Sequence, residues 1–375
     1  MSVIVARTHY LAAQVKADLA RKMVFIAGAR QVGKTTFARS LPGARAGYLN
    51  WDVPVDRERL LRRTLPAGAL WVFDELHKYR GWRNYLKGLW DGRPDRQRLL
   101  VTGSARLDFY RFGGDSLQGR YHLLRMHPLS VAELGITSNA DWRALRTLGG
   151  FPEPFFGGSA REAKRWSTEH RTLLIRDELG SLERVDDIGR LELMALRLPE
   201  RVGAPLSINS LREDLEVSHK TLTRWVALLE RLYALILVPP FGSPRVRAIK
   251  KSAKHYHLDW TLPPSAGASF ENLVAIHLLK WVHFRHDAEG FDLELRYFRD
   301  VDGREVDFVV TDRRKPVLMV EAKLNDVAVD PALRYLKAKF PDCPAWQIHA
   351  EGTKDYQTAE GIRVAPARAL LSTLV

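Results

Sequence analysis

At 375 residues, with 46% apolar and 27% charged side chains, the chain is too long for one ordinary core and reads as a folded protein of two or three domains. The formal net charge of +14 favours a polyanionic partner, nucleic acid or an anionic membrane surface. The one cysteine, Cys343, excludes an internal disulfide framework and a multi-cysteine zinc site, and fits a reducing cytoplasm.

No membrane segment is expected. The apolar run Leu228 to Val238 is too short to span a bilayer and contains Glu230 and Arg231. The first 22 residues hold Arg7, His9, Lys16, Asp18, Arg21 and Lys22, and lack the unbroken apolar core of a secretory leader.

Residues 1–135 alternate short apolar strands with helical patterns, the pattern of a parallel α/β sheet. Strands are predicted at Met23–Ala27, Leu70–Phe73 and Leu99–Thr102, each apolar enough to be buried on both faces. The first runs into Gly28-Ala29-Arg30-Gln31-Val32-Gly33-Lys34-Thr35, and Thr36 onward can continue as a helix. Strand, glycine loop and helix in that order make a phosphate-binding P-loop. Glycine lets the backbone curl so that N–H groups face phosphate oxygens, and the helix start adds its dipole. Lys34 is expected on the β- and γ-phosphates of ATP and the Thr35 hydroxyl on Mg²⁺.

The second strand ends in Asp74-Glu75. An acid at that position can hold the Mg²⁺ shell, the role expected of Asp74, and Glu75 can polarise the attacking water. The third strand ends in Thr102-Gly103-Ser104, either of whose hydroxyls could face the γ-phosphate; the cofactor set includes Ser104. Arg106 and Arg120 follow, and phosphoryl transfer needs a cation against developing charge; Arg120 is the better candidate.

Residues 136–190 turn helical around Gly149-Gly150-Phe151-Pro152, and 191–250 form a small helical unit. Leu211–Leu215 reads as a short helix, Ser218 as the N-cap of a second, and Leu222, Trp225, Val226, Leu229 and Leu232 as its buried face. His219, Lys220, Thr223 and Arg224 occupy the rest of that surface, so the pair is a candidate helix-turn-helix with its second helix in a DNA groove. The basic run Arg245, Arg247, Lys250, Lys251 and Lys254 could grip phosphates as a wing.

In residues 251–375, strands are predicted at Leu293–Arg299, Glu305–Val310 and Val317–Lys323, with a turn at Asp302-Gly303. Glu321 and Lys323 lie two apart, hence on one face, and Asp307 and Glu271 could join them. The set looks like a PD-(D/E)xK nuclease centre, in which carboxylates hold Mg²⁺ and lysine stabilises the attacking water. Glu162-Ala163-Lys164 has the same spacing but belongs to a predicted helix.

The stretches GARQVGKTT, VFDELHKYRGW, LLVTGSARL, GDSLQGRYHLLRMHPLSVAEL, GGFPEP, LLIRDEL, GASFENLVAIHLLKW, REVDFVV and VEAKL, in this order, resemble prokaryotic AAA-type (AAA+) ATPases with a C-terminal restriction-endonuclease-like domain. The resemblance covers most of the chain. It implies an α/β parallel-sheet ATPase domain, a helical middle with a winged-helix module, and a mixed α/β PD-(D/E)xK-like domain. AAA-type ATPases often place an asparagine sensor where this chain has Thr102 to Ser104. An arginine finger from a neighbouring copy would complete each site, so a homo-oligomer is implied. The expected function is ATP hydrolysis with Mg²⁺ directed at DNA. An ATP-dependent nuclease and a nucleotide switch recruiting a protein partner are the alternatives.

Overall fold

The structure, a computed structural model, describes residues 9–104, 117–178, 187–242 and 253–375. Two compact units divide the chain, Met1–His127 and Pro128–Val375.

In the first unit five strands form one parallel sheet, in the order β2-β3-β4-β1-β5. They are β1 (Met23–Gly28), β2 (Tyr48–Asn50), β3 (Leu70–Asp74), β4 (Arg98–Gly103) and β5 (Tyr121–Met126). Every residue of β1 is buried, as two covered faces require. Around the sheet lie α1 (Ala12–Asp18), α2 (Lys34–Ser40), α3 (Pro54–Leu61) and α4 (Trp82–Asp91). Phe25, Phe73, Leu99 and Val101 pack with Trp82, Tyr85 and Leu86 of α4 in one core. Because the strands run parallel, the C-terminal ends of β1, β3 and β4 share one edge of the sheet. Asp74 pairs in register with Thr102, and Ala27 with Gly103.

The second unit begins with α5 (Val131–Leu134), α6 (Asn139–Leu148), α7 (Pro152–Gly157) and α8 (Ala160–Leu173). The segment 128–135 packs within this unit. Ser130 donates to the Val375 carbonyl at 2.5 Å, and Glu133 pairs with Lys280. Next come α9 (Ile188–Arg197), α10 (Ile208–Leu215) and α11 (His219–Arg231), whose apolar faces close over Leu191, Met194, Leu211, Leu222, Trp225 and Leu229. Strands β6 (Ile236–Val238) and β7 (Lys254–Tyr256) pair antiparallel. Helix α12 (Ala266–Glu289) leads into a six-stranded mixed sheet in the order β12-β13-β11-β10-β9-β8. Its strands are β8 (Leu293–Arg299), β9 (Glu305–Asp312), β10 (Lys315–Lys323), β11 (Ala345–His349), β12 (Tyr356–Gln357) and β13 (Ile362–Pro366). Helices α13 (Pro331–Lys339) and α14 (Ala367–Leu371) complete the unit. Among the described residues no helix is long and apolar enough to cross a membrane.

Helix α12 is anchored by polar groups it buries. The Asn272 amide bonds both backbone groups of His257, accepting its N–H at 2.9 Å and donating to its carbonyl at 2.5 Å. Nδ1 of His277 bonds the Leu273 carbonyl at 2.8 Å, and Nε2 accepts the Val131 N–H at 3.1 Å. That pair of bonds needs the neutral ring, and burial pushes the His277 pKa down to about 4. His255 and His257, also buried, fall to about 4 and about 3.

In each case the unfolded chain takes up a proton near pH 6.5 that the folded ring refuses. Their contribution to stability is therefore complete above about pH 6.5 and drains as the pH falls towards 4. Replacing His277 with Gln, which can offer one donor and one acceptor, should remove about one proton from this linkage. Urea midpoints measured from pH 7 to pH 4 should fall less steeply in His277→Gln than in the parent; parallel curves would refute the assignment.

Candidate nucleotide site and carboxylate cluster

Two glycines shape the phosphate loop for different reasons. At Gly28 a Cβ would lie 2.4 Å from the Met126 carbonyl oxygen, so the close approach of β5 requires glycine. Gly33 has φ 103 and turns the chain into α2 as its N-cap. Between them Ala29 and Val32 are buried, Arg30 is half-buried and Gln31 is exposed with φ 61. Lys34 is buried and donates to the carbonyls of Gly28 and Ala29 at 3.1 and 2.7 Å, which keeps its ammonium over the loop. Thr36 faces solvent one residue beyond Thr35.

Asp74, 1% exposed, sits beside the loop at the end of β3. Thr35 Oγ1 and the Tyr48 hydroxyl both donate to its Oδ2, at 2.7 and 2.6 Å, and Thr102 Oγ1 donates to Oδ1 at 2.5 Å. Burial, and then the bonded Asp74 carboxylate, hold the Tyr48 phenol above its ordinary range. Glu75 follows in a left-handed conformation, φ 57, with its N–H tied to the Thr102 carbonyl at 2.9 Å. Its carboxylate lies 3.3 Å from Lys78 Nζ and 3.8 Å from His77 Nε2, and Lys78 also reaches Asp52 at 2.5 Å. Burial raises the Glu75 pKa, against the pull of the Lys78 and Lys34 ammoniums. Ser104 is buried, with Oγ 3.4 Å from His77 Nε2.

Mg²⁺ prefers oxygen ligands, and Thr35 and Asp74 place a hydroxyl and a carboxylate side by side at the mouth of the loop. The residues present therefore fit a Mg²⁺-nucleotide. Thr102, left level with Ser104 on sequence, is the one that bonds Asp74. Tyr48 and Asp52 carry no motif signal, and Lys78, within the stretch VFDELHKYRGW, is assigned no role on sequence. Tyr48 lies on a three-residue strand, too short to show a period.

Arg120 lies at the other end of the sheet. Its carbonyl accepts the N–H of Met23, the first residue of β1, so it stands about 17 Å along that strand from the loop. Its guanidinium bonds Asp91, with Nε at 3.0 Å. Arg120 thus cannot serve the nucleotide loop of its own chain. Arg106 lies outside the described residues.

In the second unit α10 and α11 form the expected helix pair. Glu216, φ 51, makes the turn, and Ser218 caps α11 by accepting the Thr221 N–H at 3.0 Å. His219, Lys220 and Arg224 are exposed at the start of α11, and Thr223 is half-buried. Arg245, Arg247, Lys250 and Lys251 lie outside the described residues. Lys254 is a correction: expected to grip phosphates, it is 1% exposed. On β7, residues 254 and 256 share one face, and that face turns inward.

The nuclease-like carboxylates do meet. Glu321 Oε2 accepts the Asp307 N–H at 3.1 Å, Asp307 Oδ2 accepts the Ala322 N–H at 3.0 Å, and Lys323 bonds Glu321 at 2.7 Å and Asp330 at 2.8 Å. Glu271 joins through Lys254, whose Nζ lies 3.2 Å from Glu271, 2.7 Å from Glu305 and 3.5 Å from Asp307. Burial, with Glu271 and Glu321 nearby, holds the Asp307 carboxyl well above the usual carboxylate range. Burial works to lower the Lys254 pKa, but its carboxylate neighbours win and raise it. Lys254 and Glu305 had no motif signal here, because the PD-(D/E)xK pattern names neither.

Residues 20–135 match the family model described as an AAA domain. Residues 139–266 and 266–370 match two models described as domains of unknown function, DUF8612 and DUF4143. Uncharacterised proteins of Mycobacterium tuberculosis and Mycobacterium bovis are each 26% identical over 378 residues, covering 94% of this chain and 81% of the relative. Among solved structures, a Walker-type ATPase of Pyrococcus abyssi is 13% identical with a TM-score of 0.39, covering 71% of this chain and 96% of that one. The Aeropyrum pernix ORC1 protein, solved in complex with DNA, is 14% identical with a TM-score of 0.34, covering 73% and 94%. The parallel sheet, the glycine loop and the AAA domain match agree: residues 20–135 form an AAA-type P-loop domain.

Proposed function

We propose that the chain binds ATP at Gly28–Thr36, hydrolyses it through Glu75, and works on DNA as a homo-oligomer. The observation that carries the hydrolysis is the contact of Thr35 with Asp74, directly before Glu75. In this reading the loop N–H groups and the Lys34 ammonium bind the phosphates, the ammonium leaving its carbonyl partners to do so. Thr35 and Asp74 would hold Mg²⁺, which when bound would supply positive charge against the phosphates. Glu75 takes the proton of the attacking water, a task suited to a carboxylate whose pKa burial has raised. Thr102 and Ser104 orient Asp74 and His77 on either side of it. Arg120, remote from its own loop, acts at the loop of a neighbouring copy.

The DNA reading rests on the net charge of +14 and on the exposed His219, Lys220 and Arg224 at the start of α11. A winged-helix module is the form this reading gives to the region around α10 and α11.

Lys34→Ala should abolish ATP binding in a fluorescent-nucleotide titration; turnover at the parent rate would place the site elsewhere. Glu75→Gln should keep ATP binding and lower turnover by about a hundredfold or more. ATPase rates with and without single-stranded, duplex and branched DNA test the target, and no stimulation together with no salt-dependent binding would refute it. If α11 holds the phosphates, Lys220→Ala with Arg224→Ala should weaken duplex binding and reduce its salt slope by about two.

A further inference from the structure

The carboxylates of the C-terminal unit are those a two-carboxylate nuclease would use, yet each already has an oxygen engaged by a protein donor. Asp307 gives Oδ2 to the Ala322 N–H and Oδ1 to Lys254; Glu321 gives Oε2 to the Asp307 N–H and Oε1 to Lys323. Glu271 Oε1 receives both Lys254 and the Tyr256 hydroxyl, the latter at 2.7 Å. Glu305 binds Lys254 through Oε1, and its Oε2 lies 3.5 Å from Arg299. Among the described residues no group of three or more His, Cys, Asp and Glu side chains is arranged to hold a metal ion. A Mg²⁺ ion does not fit this donor set as it stands.

The backbone commits Lys254 to this place. Strand β7 is held in register by Val238 opposite Lys254, by a bridge from Pro205 to Lys254, and by the Asn272 clamp on His257. The alternation of the strand then sends Lys254 and Tyr256 to one side and His255 to the other, where it bonds the Leu198 carbonyl at 2.8 Å. The ammonium also lies 5.4 Å from the centre of the Tyr297 ring, a further favourable contact for a cation.

We propose that Lys254 is a built-in cation: its ammonium stands among Glu271, Glu305 and Asp307 where a divalent ion would sit, making this cluster a metal-independent structural lock and not a phosphodiester-cleaving centre. A buried monocation bound to β7 joins that strand to α12 and β9 and cannot be removed by chelation. A ligand amine also presents no open coordination position for water or phosphate, which metal-assisted hydrolysis requires.

Mn²⁺ titrated into the full chain without nucleotide, read by electron paramagnetic resonance, tests it. The parent should show no tightly bound ion that Asp307→Asn or Glu321→Gln removes, and EDTA should leave its melting temperature unchanged. Lys254→Met should melt several degrees lower and gain a Mn²⁺ site that is lost again in Lys254→Met with Asp307→Asn, Mn²⁺ raising its melting temperature. A site in the parent abolished by Asp307→Asn, or Mn²⁺-dependent plasmid nicking lost in Glu321→Gln and kept in Lys34→Ala, would overturn the proposal. So would a folded Lys254→Met that gains no site. If that variant does not fold, the parent titration and the nicking assay decide alone.

Discussion

A carboxylate withdrawn from water must be repaid in hydrogen bonds, and the N-terminal unit is organised around one such group. Asp74 is buried at the end of β3, and an unpartnered charge there would cost several kcal/mol. Three hydroxyls meet it, from Thr35 at the start of α2, Tyr48 on β2 and Thr102 on β4. The glycine loop and two neighbouring strands are therefore tied to one carboxylate. Moving any of them takes a hydrogen bond from the buried carboxylate, so the loop is held in place by the sheet beside it.

The second unit meets the same constraint with the opposite sign at its centre. Lys254 is surrounded by carboxylates from α12 and β9. Lys280, equally buried, bonds the Pro128 carbonyl at 3.0 Å and Ser130 at 3.2 Å and pairs with Glu133. Such pairs add little net stability over apolar residues of equal volume, but losing one partner is costly. Their effect is to fix register: Lys254 reaches its carboxylates only if β7 pairs with β6 as observed, and Lys280 reaches Glu133 only if 128–135 joins this unit.

The elements most legible in the sequence were those with a period or a fixed motif. Strands β1, β3, β4 and β8 to β10 lie within two residues of their predicted bounds, because buried apolar runs and alternation mark them. The glycine loop, Asp74 and the Ser218 cap were legible because each residue type answers a local geometric need. Tyr48 and Lys78 were not, since they come together with Asp74 and Glu75 only through strand order. Strand β2 is three residues long, and its place next to β3 is a tertiary fact. Lys254 was misplaced for a related reason. Its neighbours Lys250 and Lys251 made a basic run by composition, while strand alternation turned this one lysine inward.

That misplacement bears on what the net charge of +14 means. Charge guides a polyanion only where it faces solvent. Lys254, Lys280 and Lys337 are each buried and committed to carbonyls or carboxylates, Lys337 to the carbonyls of Pro341 and Cys343. Their positive charge is consumed in holding the fold and adds little to any external field. Along the first two turns of α11 the conditions reverse: His219, Lys220 and Arg224 are exposed, and the helix dipole adds to the first two. A polyanion approaching the chain would therefore respond to the arrangement of such solvent-facing groups, of which α11 presents a helix with its basic residues leading, and not to the total that composition reports.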